Sequence, residues 1–430
     1  MNPARDILGS APAAGTGPLA LPAVLSEALP DPLGRQPMLS TAPATTVPSP
    51  GGPPGDLDEI LSRVIGSTVA PAAAAVDRDG AFPAEGVAAL GRAGLLGLLS
   101  SPEAGGRGAS LATAAHVIER LAGTCSSTAM VVLMHYAATA VVEAHGGEEV
   151  RRAVAQGRHL TTLAFSEAGS RSHFWAPLGT ASAEGGELVR LDAEKSWVTA
   201  AGHADSYVWS SRPLAAEGPM TLWLVPGDAP GLTVRGAFDG FGLRGNASSP
   251  VTAEAVTVPR AAMLGADAQG MDIALATALP HFLVLNSAFC LGLCEALLEQ
   301  AGAHLSRARL GHLDQTLADQ AQVRDAYARL RTRADSARTF LADTLAALQT
   351  GREDAMLRVL QVKAVAAETA AEVADGVMRL CGGAAFRRGL GVERRFRDAL
   401  AARVMAPTTQ ALYDFTGRAS LGLPLFGGTA

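Results

Sequence analysis

The chain has 430 residues and a formal net charge of −6; hydrophobic residues make up 48% and aromatic residues 5% of it. This length allows two or three domains and a large core. The acidic balance provides no basic field, so we expect no nucleic-acid partner. With so few aromatic rings the core must consist of Ala, Leu and Val, a composition typical of a helix-rich protein.

The chain contains four cysteines, Cys125, Cys290, Cys294 and Cys381. Their spacing matches neither a zinc site nor a secreted disulfide framework, so we predict reduced core cysteines, no metal site and a cytoplasmic protein. Residues 1–15 lack the basic start and apolar run of a secretory signal, which agrees with this localisation.

Residues 279–298 are mostly apolar over about the length of a membrane span, roughly 20 residues. The segment includes the polar residues His281, Asn286, Ser287 and Glu295. We therefore expect a helix buried on most faces inside the protein, and no membrane span.

The N-terminal part divides into a tail and a helical domain. Residues 1–55 are rich in Pro, Ala, Gly, Ser and Thr, a composition that cannot offset ordering entropy and predicts a disordered tail. Helical patterns follow, with acidic residues where the first helix begins. We predict an N-terminal helical domain over residues 56–158.

After Gly157 the hydrophobic period changes from helical to alternating. Short segments bounded by Gly, Pro, Asp or Ser indicate strands over 160–165, 179–183, 187–191, 196–199, 205–210, 220–225, 232–235 and 251–258. Short strands at this spacing predict a small β-barrel or sandwich over residues 159–268.

Helical patterns resume near Met271 and continue to the C-terminus. They predict helices over about 271–308, 314–349, 353–380, 392–404 and 408–419. Long helices rich in Ala and Leu favour a four-helix bundle over residues 269–430. The predicted fold class is therefore α+β.

Two polar motifs lie in the predicted β region. The first is Leu-Ala-Phe-Ser-Glu-Ala-Gly-Ser-Arg-Ser-His over residues 163–173, which could also be an ordinary hairpin loop. The second contains Trp197 and Thr199, which would share one face of a strand because side chains two apart point the same way. A broad indole beside a hydroxyl suits a flavin ring, although a half-buried strand with a core Trp fits the pattern as well.

A third motif lies near the C-terminus, where a helical pattern ends at Gly382-Gly383. Two glycines permit a turn and a close approach of backbone to a ligand. A second helical segment, marked by Arg394, Arg397 and Asp398, follows, and Ala406-Pro407 breaks it.

These motifs and the order of helical, β and helical regions resemble the acyl-CoA dehydrogenase family from residue 56 onward. The resemblance implies an FAD-dependent oxidoreductase that dehydrogenates the α,β bond of an acyl-CoA or carrier-bound acyl thioester. It also implies an electron-transfer flavoprotein or another electron acceptor as partner, and a homo-oligomer, either a tetramer or a dimer.

The resemblance also implies a set of cofactor contacts. These are Phe165, Ser166, Ser172, Trp197, Thr199, Arg307, Gln320, Gly382, Gly383, Thr408 and Gln410. In the family an arginine at the end of the first bundle helix reaches the FAD pyrophosphate of a neighbouring subunit. Arg307 and Arg309 both fit that place, and we prefer Arg307, whose guanidinium suits a bidentate phosphate contact. Arg171 and His173 depart from the family's usual loop, which weakens the expected acyl-chain contacts.

The family's catalytic glutamate has no counterpart at its usual place. Register from Arg397-Asp398 puts Ala406 there, and a methyl group cannot take up a proton. Some family members carry the carboxylate on the first bundle helix instead. Counting from Gln269-Gly270 places His281 at that position, whereas counting back from Gly292 places Phe282 there. An imidazole can act as a base near neutral pH, but His281 could equally be a hydrogen-bonded core residue.

Two other functions remain open at this point. The same scaffold could serve a monooxygenase in which reduced flavin activates oxygen, which requires no carboxylate base. It could also belong to a flavin-binding paralogue without turnover. No Gly-x-Gly-x-x-Gly follows a strand, so the FAD would not lie on a Rossmann domain.

Overall fold

The computed structural model describes residues 55–170 and 173–425. The predicted tail lies outside the described residues except for its last residue, and so do Arg171 and Ser172. Helices come first, strands follow, and helices complete the chain. The predicted α+β class is confirmed, whereas the predicted domain bounds stay predictions.

The N-terminal region contains six helices in its described part. They are α1 (Gly55–Val64), α2 (Ala70–Asp79), α3 (Ala84–Arg92), α4 (Leu111–Thr124), α5 (Ser126–His145) and α6 (Glu148–Ala155). Ser110 caps α4, because its hydroxyl accepts the N–H of Thr113 at 3.2 Å and so satisfies a donor that the first turn leaves free. Most of α5 is buried. This helix, which includes Met134, packs against the strands Thr161–Ala164 and Ser206–Ser211.

In the described part of the middle region, seven strands form two sheets. Strands β1 (Thr161–Ala164), β4 (Ser206–Ser211) and β5 (Thr221–Pro226) make one sheet in the order β1-β4-β5, with β1 parallel to β4. Strands β2 (Thr180–Ala183), β3 (Leu188–Val198), β7 (Ser249–Pro259) and β6 (Leu232–Val234) make the other in the order β2-β3-β7-β6, all antiparallel.

The expected β-barrel requires a correction, because the sheets do not close into a barrel in the described part of the chain. Barrel closure needs a continuous ladder around the strands. Here β1, β2 and β6 have only four, four and three residues, and the first sheet meets the second through the isolated bridge between Glu167 and Lys195.

The first sheet contributes three large buried rings to the core. Trp209 of β4 pairs with Trp223 of β5, and both are fully buried, as is Tyr207. The helices instead contribute mainly Ala, Leu and Val to the core, as the composition predicts. All four cysteines are buried and free, again as predicted.

The C-terminal region is built around three long helices. Its helices are α7 (Gly270–Ile273), α8 (Leu279–Leu305), α9 (Ala321–Thr350), α10 (Ala355–Cys381), α11 (Val392–Ala399), α12 (Ala401–Val404) and α13 (Thr409–Ser420). Between α8 and α9, two antiparallel strands of two residues each form a hairpin, β8 (Arg309–Leu310) and β9 (Gln315–Thr316). Helix α8 packs against α4, α5, α9 and α10, so it runs through the centre of the helical core.

Among the described residues, three helical stretches have the length and hydropathy of a membrane span. They are Asp56–Asp79, Ser126–His145 and Gly270–Leu305, of whose apolar windows 28%, 78% and 89% are buried inside the protein. The third contains residues 279–298, which form the buried helix that the sequence predicts. The absence of a membrane span stays a prediction.

Helix α11 of the C-terminal region contacts both of the other regions. Asp398 accepts the N–H of Leu243 at 2.7 Å, and Arg397 pairs with Asp77 of α2 at 2.7 and 2.9 Å. Burial raises the pKa of Asp398 to about 6. These contacts fix the segment that follows α11, where Ala406 lies, relative to the sheets and the N-terminal helices.

Candidate active site

One cleft brings residues from all three regions together. It is lined by Met134, Leu163, Phe165, Ser166, Phe174, Ser196, Trp197, Ala274, Ala278, Leu279, Phe282, Ala406 and Pro407, and it encloses about 550 Å³ including its open mouth. The lining is apolar apart from the backbone and two serine hydroxyls. We call it the cleft from here on.

The sheet side of the cleft is formed where β1 ends and β3 bends. The N–H of Ser196 donates to the carbonyl of Ser166 at 2.9 Å, which joins the two segments. Trp197 has a φ of 56° and is 71% exposed, and its ring meets Phe238 edge-on with centroids 6.4 Å apart. A bulky residue at positive φ costs about 1–3 kcal/mol and persists only where the surrounding structure enforces it.

Thr199 does not share this surface with Trp197. It is buried, and its hydroxyl oxygen lies 3.1 Å from the Ser248 hydroxyl oxygen. The predicted shared face assumed strict alternation, but the pairing register shifts between Lys195 and Val198, and Trp197 is left-handed there. A bulge of this kind re-aims a side chain, so the indole and the hydroxyl separate. Thr199 as a cofactor contact stays a prediction.

A buried ion pair supports the sheet side from behind. Lys195 Nζ donates to Glu167 Oε1 at 2.6 Å and to the carbonyl of Ser210 at 2.7 Å, while Glu167 Oε2 accepts the N–H groups of Leu178 and Gly179, the latter at 3.0 Å. Burial lowers the pKa of Lys195 to about 8. Sequence reasoning missed this role of Lys195, because β3 contains several other charged residues and the pattern does not distinguish Lys195 from them.

The helical side of the cleft begins with a π-helical turn over Ala274–Ala278, between α7 and α8. A π turn accommodates one residue more than the same stretch of α-helix and occurs frequently at functional sites. Counting through it without a gap therefore gives a register one residue off, which explains why the two sequence counts disagreed. Phe282 lines the cleft, and His281 lies beside that face.

His281 is partly buried, and its Nδ1 lies 2.7 Å from the carbonyl oxygen of Thr277. Burial lowers the pKa of this imidazole, which keeps it neutral near pH 7. Because a carbonyl can only accept, Nδ1 carries the proton and Nε2 holds the lone pair. His281 as the catalytic base stays a prediction.

The segment after α12 closes the cleft with Ala406 and Pro407. Their peptide bond is cis. Lys363 Nζ donates to the carbonyls of Met405 and Pro407 at 3.0 and 2.8 Å. Ala406 thus lies in the cleft at the place that the resemblance gives to a glutamate, and no carboxylate or imidazole belongs to the lining formed by the described residues.

The other predicted cofactor contacts lie away from the cleft. Arg307, Gly382, Gly383 and Gln410 are exposed, and Gln320 and Thr408 are partly buried. Arg307 Nε donates to the carbonyl of Ala303 at 2.9 Å, Gln320 Nε2 donates to Gln315 Oε1 at 2.7 Å, and Thr408 caps α13. Ser172 lies outside the described residues. Their cofactor contacts stay predictions.

The cleft fits the isoalloxazine ring of a flavin. Trp197 offers a broad, exposed ring, Phe165 and Leu163 extend the apolar surface, and the hydroxyls of Ser166 and Ser196 can reach the polar edge of a bound ring. No charged side chain is among the described residues that line the cleft. Sites for flat cofactors combine an apolar lining with a few polar groups in this way.

Three family models match the chain in order. The N-terminal, middle and C-terminal domains of acyl-CoA dehydrogenase match residues 57–157, 162–256 and 268–421. Together they cover most of the chain, in the order of its helical, sheet and helical regions.

Individual relatives agree with these matches. The chain is 26% identical over 353 residues to a probable acyl-CoA dehydrogenase, YngJ, of Bacillus subtilis, covering 79% of this chain and 90% of the relative. It is also 26% identical over 377 residues to cyclohex-1-ene-1-carbonyl-CoA dehydrogenase of Geobacter metallireducens, covering 84% and 96%.

Among solved structures, butyryl-CoA dehydrogenase of Megasphaera elsdenii superposes with a TM-score of 0.79 at 20% identity, over 85% of this chain and 97% of that one. This likeness shows the fold alone. The matches to the three family models show that the chain is also related to the family in sequence. The chain belongs to the acyl-CoA dehydrogenase family, whose members are FAD-dependent oxidoreductases acting on CH–CH groups.

Proposed function

We propose that the protein oxidises the α,β C–C bond of an acyl thioester, carried by coenzyme A or by a carrier protein. One observation carries this proposal. Ala406 and Pro407, at the place where the family presents its catalytic glutamate, line the same cleft as Phe165, Ser166 and Trp197, where the family binds its flavin. An acyl group in this cleft would lie between the two.

Bound FAD supplies the hydride acceptor. The chain's own residues hold and orient the reactants. Trp197 and Phe165 offer flat apolar contact, and the hydroxyl of Ser166 offers a hydrogen bond at its edge. Met134 and Phe282 reduce the space for water at the inner end, which strengthens electrostatic interactions inside the cleft.

The proton from the α-carbon requires an acceptor other than residue 406. We retain His281 as the candidate, with Nε2 as the accepting atom, because its neutral form is favoured and Nδ1 is engaged by Thr277. Leu279 and Phe282 are the described residues of this helix that line the cleft nearby. Transfer to His281 therefore requires the α-carbon to lie beside the Phe282 ring rather than over its face.

We further propose a homo-oligomer in which Arg307 reaches the FAD pyrophosphate of a neighbouring subunit. The guanidinium is exposed, and among the described residues only its Nε is engaged, by the carbonyl of Ala303. The remaining N–H groups suit a bidentate phosphate contact. We also propose a cytoplasmic location and an electron-transfer flavoprotein as electron acceptor, both in keeping with the family.

The test is an anaerobic titration of the purified FAD-loaded protein with a panel of acyl-CoAs and acyl-carrier thioesters. Bleaching of the flavin absorbance by at least one of them is the expected result. No bleaching by any of them, with NADH- or reductase-dependent oxygen uptake, would instead identify a monooxygenase. No reaction in either assay would indicate a paralogue without turnover.

A further inference from the structure

The ammonium group of Lys363 lies buried behind the Ala406–Pro407 wall of the cleft. The side chain is 0% exposed, and Nζ donates to the carbonyls of Met405 and Pro407 at 3.0 and 2.8 Å. These carbonyls belong to the residues on either side of Ala406. One side chain of α10 therefore fixes the backbone before and after the residue that faces the cleft.

Neighbouring contacts hold the same segment. Asn286 Nδ2 of α8 lies 3.7 Å from Met405 Sδ, and Glu368 of α10 pairs with Arg403 of α12, with 3.0 Å from Arg403 Nε to Glu368 Oε2. The segment is thus held from α8 and α10 together. Its position is set by the packed helices and not by the loop alone.

Burying this ammonium does not favour stability. Desolvation of an ion is unfavourable, and a methionine of similar volume would avoid it. In the described part of the chain no carboxylate forms an ion pair with Lys363, and burial lowers its pKa to about 8. A buried charge beside a cleft, held only by carbonyls, is a feature of functional sites more than of stable cores.

We propose that Lys363 is the positioning residue of the cleft, which fixes the Ala406–Pro407 wall through the carbonyls on both sides of Ala406. The use of this fixed wall in catalysis rests on the proposed function. A fixed wall sets the width of the cleft. A positive charge behind it favours an acyl thioester whose α-carbon becomes negative as its proton leaves.

The experiment uses a reporter thiol on the wall, introduced by Ala406→Cys in the full-length, FAD-loaded protein. Its alkylation rate by iodoacetamide is measured with and without Lys363→Met. The four native cysteines are buried, so alkylation reports the wall, and Lys363→Met without the reporter gives the background. Val359→Ala is the matched control, because Val359 is a fully buried residue one turn earlier on α10. Melting temperature and bound flavin are recorded for each variant.

Lys363→Met is expected to raise the alkylation rate of the reporter roughly tenfold, because the wall opens locally. Val359→Ala should lower the melting temperature but change that rate less than about twofold, because it leaves both carbonyl contacts intact. If the Lys363→Met protein does not fold, Lys363→Gln takes its place with the same expectation, since the shorter amide cannot reach both carbonyls. The proposal is overturned if the reporter thiol in the Lys363 variant is alkylated at a rate within about twofold of that in the Val359→Ala control. This readout needs no acyl substrate, so it stays interpretable if the proposed function fails.

Discussion

Nδ1 of His281 lies 2.7 Å from the carbonyl oxygen of Thr277, one turn earlier in the same helical stretch. This contact fixes the tautomer of the imidazole, and Phe282, the next residue, is the one that lines the cleft. The histidine is therefore held by its own helix, beside the reacting space.

For His281→Ala we expect the flavin reduction rate, per bound FAD, to fall by about 10²–10⁴, because the variant lacks the imidazole that we propose as the proton acceptor. The measurement is stopped-flow bleaching by the acyl thioester that the titration identifies. Thr277→Val serves as a control, because it removes the hydroxyl and keeps the carbonyl that accepts from Nδ1. A rate within about threefold of wild type would show that His281 is not the base.

The sequence predicted the main elements of the cleft but not its geometry. Phe165, Ser166, Trp197 and Ala406 were singled out through the resemblance to the family, and the structure brings all four to one cleft. Alternation and helical periodicity are local patterns, and most of the chain follows them closely enough for the fold class to be predicted.

Features that depend on one inserted residue or on distant contacts were not predictable in this way. The π turn over Ala274–Ala278 changes the register by one residue without altering composition. The contact from Lys363 to Pro407 joins residues 44 apart in sequence. Trp197 has a left-handed backbone conformation because β3 is bulged there. No residue type at that position indicates the bulge.

The ion pair between Glu167 and Lys195 gives a prediction about stability. Lys195→Met leaves Glu167 buried with an uncompensated charge, so the free energy of unfolding should fall by about 3–5 kcal/mol. Urea unfolding measures this change. Arg235→Met is the matched control, because it breaks the exposed Arg235–Glu254 pair and should cost less than about 1 kcal/mol. A similar small loss for both variants would contradict a structural role for the buried pair.

His135 gives a prediction about pH. Its Nδ1 accepts the N–H of Thr161 at 3.1 Å and its Nε2 lies 3.1 Å from the carbonyl of Leu96, so the ring must be neutral. Burial lowers the pKa of His135 to about 4. The unfolded chain then binds a proton that the folded chain does not, and stability present above pH 6.5 is lost as the pH falls towards 4.

We expect the free energy of unfolding of wild type to fall between pH 6.5 and pH 4 more steeply than that of His135→Gln. The variant should be less stable at pH 7, because glutamine cannot keep both contacts in the same geometry. Urea unfolding across this pH range measures both slopes. His312→Gln, at an exposed histidine, should keep the wild-type slope. Parallel slopes for wild type and His135→Gln would show that other groups control the acid response.

Arg307 gives a prediction about the cofactor and the oligomer. Arg307→Ala should lower the fraction of FAD that remains bound after gel filtration, because a phosphate contact from a neighbouring subunit is lost. Absorbance at the flavin band and light scattering measure occupancy and mass together. Arg309→Ala is the control, since Arg309 is exposed and pairs with Asp314. A monomer that retains full FAD would refute the contact between subunits.

Ala406 gives the last prediction, because it lies in the cleft where the family presents a carboxylate. In Ala406→Glu the new side chain starts from a segment that Lys363 already holds through the carbonyls of Met405 and Pro407. A carboxylate positioned this way can accept the α-proton directly. Introduced into the His281→Ala protein, it should therefore raise flavin reduction by an acyl-CoA, per bound FAD, by about 10²–10⁴.

Ala406→Gln separates this effect from a change in shape, because the amide has nearly the same size and takes up no proton. In the same His281→Ala background it should give no increase in rate. The rate of the double variant with Ala406→Glu should fall as the pH drops below the pKa of the new carboxyl, whereas His281→Ala alone should lack that limb. Equal rates for the Glu and Gln variants would show that residue 406 is not placed to act on the α-carbon, and the acyl group would then lie elsewhere in the cleft.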